Sequence, residues 1–186
     1  MTRDVNPMPG NCKFSKTITA EIHSNFDTTE SIIELGCGCG GNLAELSSIA
    51  GKLVGIEPHP DNFQKAFKSV GENVTVIHGD HTQLESFGDN QFDVGFTCSV
   101  LDHMEDFRGA LGELLRVCKN VMLFEPTMSP GRQAREDETN CWQISWYHDY
   151  GAWLHDDGLE YFIKPFPLYS TSSGKLFHQI IIRGKP

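Results

Sequence analysis

Glu34, Glu57 and Asp80 are acidic residues set at or near the ends of three short apolar segments, and the first precedes a run of glycines, Gly36-Cys37-Gly38-Cys39-Gly40-Gly41. Glycine lets a backbone approach a ligand closely, and the helix pattern that opens at Asn42 turns its free N–H groups toward the same place. Gly36-x-Gly38-x-x-Gly41 satisfies a dinucleotide-binding fingerprint. Glu57 lies 19 residues beyond Gly38, where a ribose-binding carboxylate is required. The pattern fits a nucleotide-type ligand, either NAD(P) or S-adenosylmethionine. Glu34 favours the second, because a carboxylate beside the turn attracts the cationic amino end of a methionine moiety and repels a pyrophosphate. Asp80 offers a further acceptor, for an adenine amino group. A dehydrogenase also normally needs a separate substrate domain, for which 186 residues leave little room.

These residues need a frame that brings strand ends together. The segments Ser31–Leu35, Lys52–Glu57, Asn73–Ile77, Phe92–Cys98 and Val121–Phe124 read as five buried strands. Between them fall helical patterns over Asn42–Ala50, Asp61–Val70, with Phe63, Ala66, Phe67 and Val70 on one face, and Met104–Cys118. A further helix, Ser15–Phe26, precedes the first strand with Ile18, Ile22 and Phe26 in register. Alternation of this kind specifies a parallel sheet with right-handed crossovers. It breaks at Thr127–Asn140, a polar stretch. Ser145–Asp157 reads as a helix, and Leu159–Ile163 with Lys175–Ile182 as a closing antiparallel hairpin. The expected organisation is one domain over 1–186, with residues 1–13 a loose arm and residues 127–144 a loop near the substrate cleft.

Composition sets outer bounds. A formal net charge of −10 with 15 scattered basic residues argues against a nucleic-acid partner. No apolar run approaches the length of a membrane span, and Met1–Pro7 lacks an apolar export core, so a cytoplasmic protein without membrane attachment is expected. The six cysteines show no Cys-x-x-Cys pairing, so no metal site or disulfide framework is expected.

Taken in order, Glu34-Leu-Gly-Cys-Gly-Cys-Gly-Gly41, Gly55-Ile-Glu57, Gly79-Asp80 and Phe92-Asp-Val-Gly-Phe-Thr-Cys-Ser-Val-Leu-Asp-His103 resemble the successive motifs of class I S-adenosylmethionine-dependent methyltransferases (methyltransferase type 11-like) over about residues 30–125. The resemblance implies an α/β, Rossmann-like, doubly wound sheet of seven strands, mostly parallel with an antiparallel C-terminal hairpin. It implies S-adenosyl-L-methionine as cofactor. Glu34, Gly36, Cys37, Gly38, Gly40 and Asn42 would hold its methionine part, and Glu57 would accept from both ribose hydroxyls. Pro58, Gly79, Asp80 and His81 would border the adenosine, and Cys98, Ser99 and Val100 would run toward the methyl group.

Methyl transfer is an in-line displacement from a cationic sulfur, so a protein must orient the acceptor and, for a hydroxyl or ammonium, remove a proton. Two histidines are candidates. His103 ends Leu101-Asp102-His103, similar to a Leu-Glu-His triplet in the family. His148 falls, on a helical wheel over Ser145–Asp157, opposite the face of Trp146, Tyr150, Trp153 and Leu154. All three tryptophans and all four tyrosines lie between Trp142 and Tyr169. Trp142, Trp146 and Tyr147 are candidate contacts to a small-molecule acceptor. A homodimer would be one way for so compact a chain to close its site. Two other readings stay open: an NAD(P)-binding oxidoreductase module, and a non-catalytic protein that binds S-adenosylmethionine.

Overall fold

The computed structural model describes residues 12–27, 29–126, 136–137, 145–169 and 176–183. The chain divides between Asp80 and His81 into two compact units. Its main sheet has seven strands, which in chain order lie third, second, first, fourth, fifth, ninth and eighth across the sheet. In the first unit, helix α1 (Cys12–Asn25) leads to β1 (Ser31–Leu35), α2 (Gly41–Leu46), β2 (Lys52–Glu57), α3 (Pro60–Ser69) and β3 (Val74–His78). β1, β2 and β3 are parallel, with Leu35 opposite Ile56 and Glu57 opposite His78. Ile18 and Ile22 of α1 are fully buried, as the four-residue spacing predicts. Each such aliphatic side chain contributes about 1.5–3 kcal/mol by leaving water. α2 is shorter than its apolar pattern, ending at Leu46, after which a turn buries Ala50.

α3 corrects one expectation. Only Ala66 is buried on it, whereas Phe67 stands 65% exposed. The small residue is the one that packs, because α3 crosses directly over the glycine turn. A Cβ on Gly40 would lie 2.9 Å from Val70 Cγ1 and 3.2 Å from the Ala66 backbone.

In the second unit, a 3-10 helix (His81–Ser86) is followed by β4 (Phe92–Cys98), a second 3-10 helix (Leu101–His103), α4 (Arg108–Val117) and β5 (Cys118–Pro126). β4 and β5 are parallel. The segment expected as a helix from Met104 is therefore split, its start drawn into the turn after β4. β5 runs through Glu125 and Pro126, beyond the predicted end at Phe124. A two-residue strand β6 (Glu136–Asp137) pairs antiparallel with β7 (Ser145–Trp146). α5 covers only Tyr150–Asp156, so the helix expected from Ser145 begins five residues late. Asp149 sets that start, its side chain accepting from the Ala152 amide at 2.9 Å as an N-cap. β8 (Tyr161–Tyr169) and β9 (Leu176–Arg183) form the antiparallel hairpin, and β9 pairs antiparallel with β5. No helix among the described residues is long and apolar enough to cross a membrane.

Candidate functional site

The first unit assembles most of the predicted cradle. β1 is buried on both faces, so Glu34 goes inside with its neighbours and is 1% exposed. Its Oε1 accepts from Asn42 Nδ2 at 2.6 Å, while Oε2 has no hydrogen-bond partner among the described residues. Burial, only partly offset by the Asn42 bond and reinforced by the charge of Glu57, pushes Glu34 from its ordinary 4.5 to about 8. A buried carboxyl with one oxygen unsatisfied is costly, and a cationic or N–H donor in front of it would remove that cost.

Glu57 is 5% exposed and holds the turn in shape. Its Oε2 accepts from the Gly38 amide at 2.8 Å and its Oε1 from the His59 amide at 2.9 Å. Each oxygen keeps lone-pair capacity for a further donor. The amides of Gly36 and Cys37 both donate to the Ile56 carbonyl, and Gly40 donates to Cys37. Gly36, Gly38 and Gly40 have φ of 72°, 55° and 81°, the left-handed region that favours glycine. The Cys37 thiol is buried and pushed well above its usual range, which removes it from thiolate chemistry. Beyond Glu57, Pro58 is exposed and its carbonyl meets His78 Nε2 at 3.1 Å. The Gly79 amide donates to the Glu57 carbonyl at 3.1 Å, and Asp80 follows on the surface.

In the second unit, His81 is half-buried at the start of its 3-10 helix. Cys98, Ser99 and Val100 leave β4 in a strained turn. Ser99 has a φ of 55°, unusual for a residue with a side chain. Its amide donates to the Phe124 carbonyl at 3.0 Å and its hydroxyl to Asp102 Oδ1 at 3.2 Å. His103 ends this turn, exposed, with Nε2 3.8 Å from Asp102 Oδ1. Asp102 itself is fully buried.

His148 occupies a different position from the one its spacing predicts. It lies between β7 and α5, not on a helix, and is buried. Its Nε2–H donates to the Met104 carbonyl at 2.7 Å, and its ring packs on Phe107 at 4.5 Å. Burial lowers its affinity for a proton. Trp146 and Tyr147 are half-buried beside it in sequence, whereas Trp142 lies outside the described residues.

One residue of this unit escaped the sequence reading, and a second was read only as part of an aromatic helix face. Glu125, at the end of β5, is fully buried and accepts from the Val100 amide with both oxygens, at 3.0 and 3.1 Å, and from the Asp102 amide at 3.4 Å. Burial and the neighbouring charge of Asp102 push it up to about 8. Tyr150 is fully buried, and its hydroxyl has no hydrogen-bond partner among the described residues. Burial, with the charges of Glu125 and Asp102, raises it well above the ordinary tyrosine value. A signal for Glu125 existed, since it closes an apolar strand as Glu57 does.

A mostly parallel sheet with an antiparallel final hairpin, carrying a glycine turn after β1 and acidic residues at the strand ends, is the class I methyltransferase architecture. The motif-bearing segment matches the family model described as "Methyltransferase domain" over residues 33–121. Among curated relatives, a sterol 24-C-methyltransferase of Pneumocystis carinii is 27% identical over 104 residues, covering 53% of this chain and 27% of the relative. The matches span only 25% to 37% of the curated relatives' own length. Solved structures share the fold. The magnesium protoporphyrin IX methyltransferase of Synechocystis PCC 6803 with bound S-adenosylhomocysteine superposes with a TM-score of 0.69 at 15% identity, over 95% of this chain and 84% of that one. A geranyl diphosphate C-methyltransferase of Streptomyces coelicolor A3(2) does so with a TM-score of 0.73 at 10% identity, over 91% and 77%.

Proposed function

We propose that this protein uses S-adenosylmethionine to methylate a small-molecule acceptor. The observation that carries the reading is Glu34, a buried carboxyl beside a glycine turn with one oxygen that has no partner among the described residues. That oxygen suits the ammonium of the cofactor's amino-acid end, whose charge favours ionisation of the carboxyl, whereas a pyrophosphate would oppose it. The turn fits the same ligand. Gly40 is packed so tightly beneath α3 that backbone alone can line it. In this reading the free lone pairs of Glu57 take the ribose hydroxyls, and Pro58, Gly79, Asp80 and His81 border the adenosine. Cys98, Ser99 and Val100 then line the methyl end by the family resemblance.

The cofactor supplies an electrophilic methyl group on a positively charged sulfur. The chain's own task is to orient the acceptor and take its proton. His103 is the base in this reading, because it is exposed and has a buried carboxylate at 3.8 Å to stabilise the imidazolium. His148, committed to the Met104 carbonyl, anchors the loop that presents His103. Trp146 and Tyr147, with Trp142, are assigned to acceptor contact. The small acceptor is supported by the names of a relative and two structural neighbours, which specify sterol, magnesium protoporphyrin IX and geranyl diphosphate, and by the acidic charge, which disfavours nucleic acid. A homodimer and a cytoplasmic site of action belong to the same reading.

Calorimetric titration of the wild type with S-adenosylhomocysteine and with NAD tests it. Binding of the first and not the second is the expected result. A protein that binds NAD, or binds neither, would not be this enzyme. Glu57→Ala should cost at least tenfold in affinity for S-adenosylhomocysteine, since charge-assisted hydrogen bonds are worth about 1.5–3 kcal/mol each.

A further inference from the structure

A chain of hydrogen bonds reaches Glu34 from an element that no motif covers. Ser15 on α1 is 1% exposed and donates its hydroxyl to Asn42 Oδ1 at 2.8 Å. Asn42, at the start of α2, passes the polarity on by donating Nδ2 to Glu34 Oε1 at 2.6 Å. Glu34 Oε2, in the same buried group, is left without a partner among the described residues.

The order of donors has a chemical consequence. An asparagine amide can turn either end toward a carboxyl. Its oxygen end at 2.6 Å would require Glu34 to carry a proton, whereas its NH2 end supports the ionised form. With the Ser15 hydroxyl donating to Oδ1, the NH2 end faces Glu34. One carboxylate oxygen is thereby occupied from inside the protein, and the other is held open in a fixed direction. Burial keeps the proton on Glu34 in the empty cradle, and a cationic donor arriving at the open oxygen draws the group to the ionised form that the Asn42 NH2 end already supports.

We propose that Ser15 is a positioning residue for the amino-acid end of the ligand, acting through Asn42 on Glu34, so that α1 takes part in ligand selection. The inference rests on the reading of the cradle as an S-adenosylmethionine site. It goes beyond that reading by naming which end of the ligand depends on α1. S-adenosylhomocysteine carries the amino-acid end, whereas 5′-methylthioadenosine keeps the nucleoside and lacks the ammonium and carboxylate. A residue that merely supports the fold would affect both ligands alike.

The test is calorimetric titration of both ligands against wild type, Ser15→Ala and Ser15→Thr. Ser15→Ala should weaken S-adenosylhomocysteine about tenfold, the size of one internal hydrogen bond, and leave 5′-methylthioadenosine within about twofold. Ser15→Thr, which keeps the hydroxyl, should bind both as wild type does. Equal losses for the two ligands in Ser15→Ala, or no loss for either, would overturn the proposal. Wild type that binds neither ligand would instead remove the cofactor reading on which it stands. Retained binding of 5′-methylthioadenosine shows in the same experiment that the variant is folded.

Discussion

Replacing Glu34 by glutamine should stabilise the ligand-free protein at alkaline pH while weakening its hold on the cofactor. Folding carries the carboxyl from an ordinary value of 4.5 to about 8 because it is buried with one oxygen unsatisfied. Below 4.5 both the folded and unfolded states hold the proton, so the shift has no effect on stability. Between 4.5 and 8 the unfolded chain has released a proton that the native state keeps, so stability falls as pH rises, by about 1.4 kcal/mol per unit. Above 8 the full penalty persists, on the order of 5 kcal/mol. Glutamine cannot ionise and still offers Oε1 to Asn42. Its own NH2 group, facing the open direction, lacks an acceptor and costs about 1–3 kcal/mol at any pH. Glu34→Gln should therefore be no more stable than wild type near pH 5 and more stable by roughly 1–3 kcal/mol near pH 8. Urea denaturation at the two pH values measures the difference, and S-adenosylhomocysteine titration measures the functional loss. A wild-type-to-variant difference that stays constant between pH 5 and pH 8 would refute the account, because the carboxyl would then titrate as it does in water.

Two further substitutions probe the scaffold. Gly40→Ala puts a methyl 2.9 Å from Val70 Cγ1 at a φ of 81° and should lower stability by about 2 kcal/mol, seen as a fall in Tm. An unchanged Tm would mean that α3 does not press on the turn. His148→Phe keeps the ring packing on Phe107 but strips the Met104 carbonyl of its donor, and should cost about 1–2 kcal/mol. His103→Gln, at an exposed position, should cost under about 0.5 kcal/mol. Equal melting temperatures for these two variants would contradict the contrast between a buried, anchored histidine and an exposed one.

The strands were legible because strands buried on both faces spell continuous apolar runs, and β1, β2 and β4 begin and end where those runs do. The acidic ends of β1 and β2 were legible for the complementary reason that a charge in such a run stands out. The helix drawn from Ser145 failed because Trp146, Tyr150, Trp153 and Leu154 recur at helical spacing although Trp146 belongs to β7. The capping residue Asp149, a local signal, outweighs that periodicity. Phe67 was misplaced by the same reliance on period, since the contact of α3 with the glycine turn admits alanine and excludes a ring. Ser15 had no signal of any kind. Its partner lies 27 residues away, and a serine in an amphipathic helix is indistinguishable from a solvated one until the chain is folded.

The two candidate histidines differ in the carboxylates and carbonyls around them. The segment from Ser99 to Met104 is held at both ends. Glu125 takes the Val100 and Asp102 amides, and His148 takes the Met104 carbonyl. The arrangement is costly. It keeps Ser99 in a left-handed conformation, worth about 1–3 kcal/mol of strain, and buries Glu125 and Asp102 near the Tyr150 hydroxyl, which has no partner among the described residues. A loop that only joined β4 to α4 would gain nothing from such constraints, and they converge on the backbone of the turn that carries His103. What they fix is where that imidazole begins, while its ring stays exposed and free to meet a proton. His148 is built into the support, with its Nε2 already committed. The difference between the two histidines is one of hydrogen-bond commitment, and residue spacing alone carries no record of it.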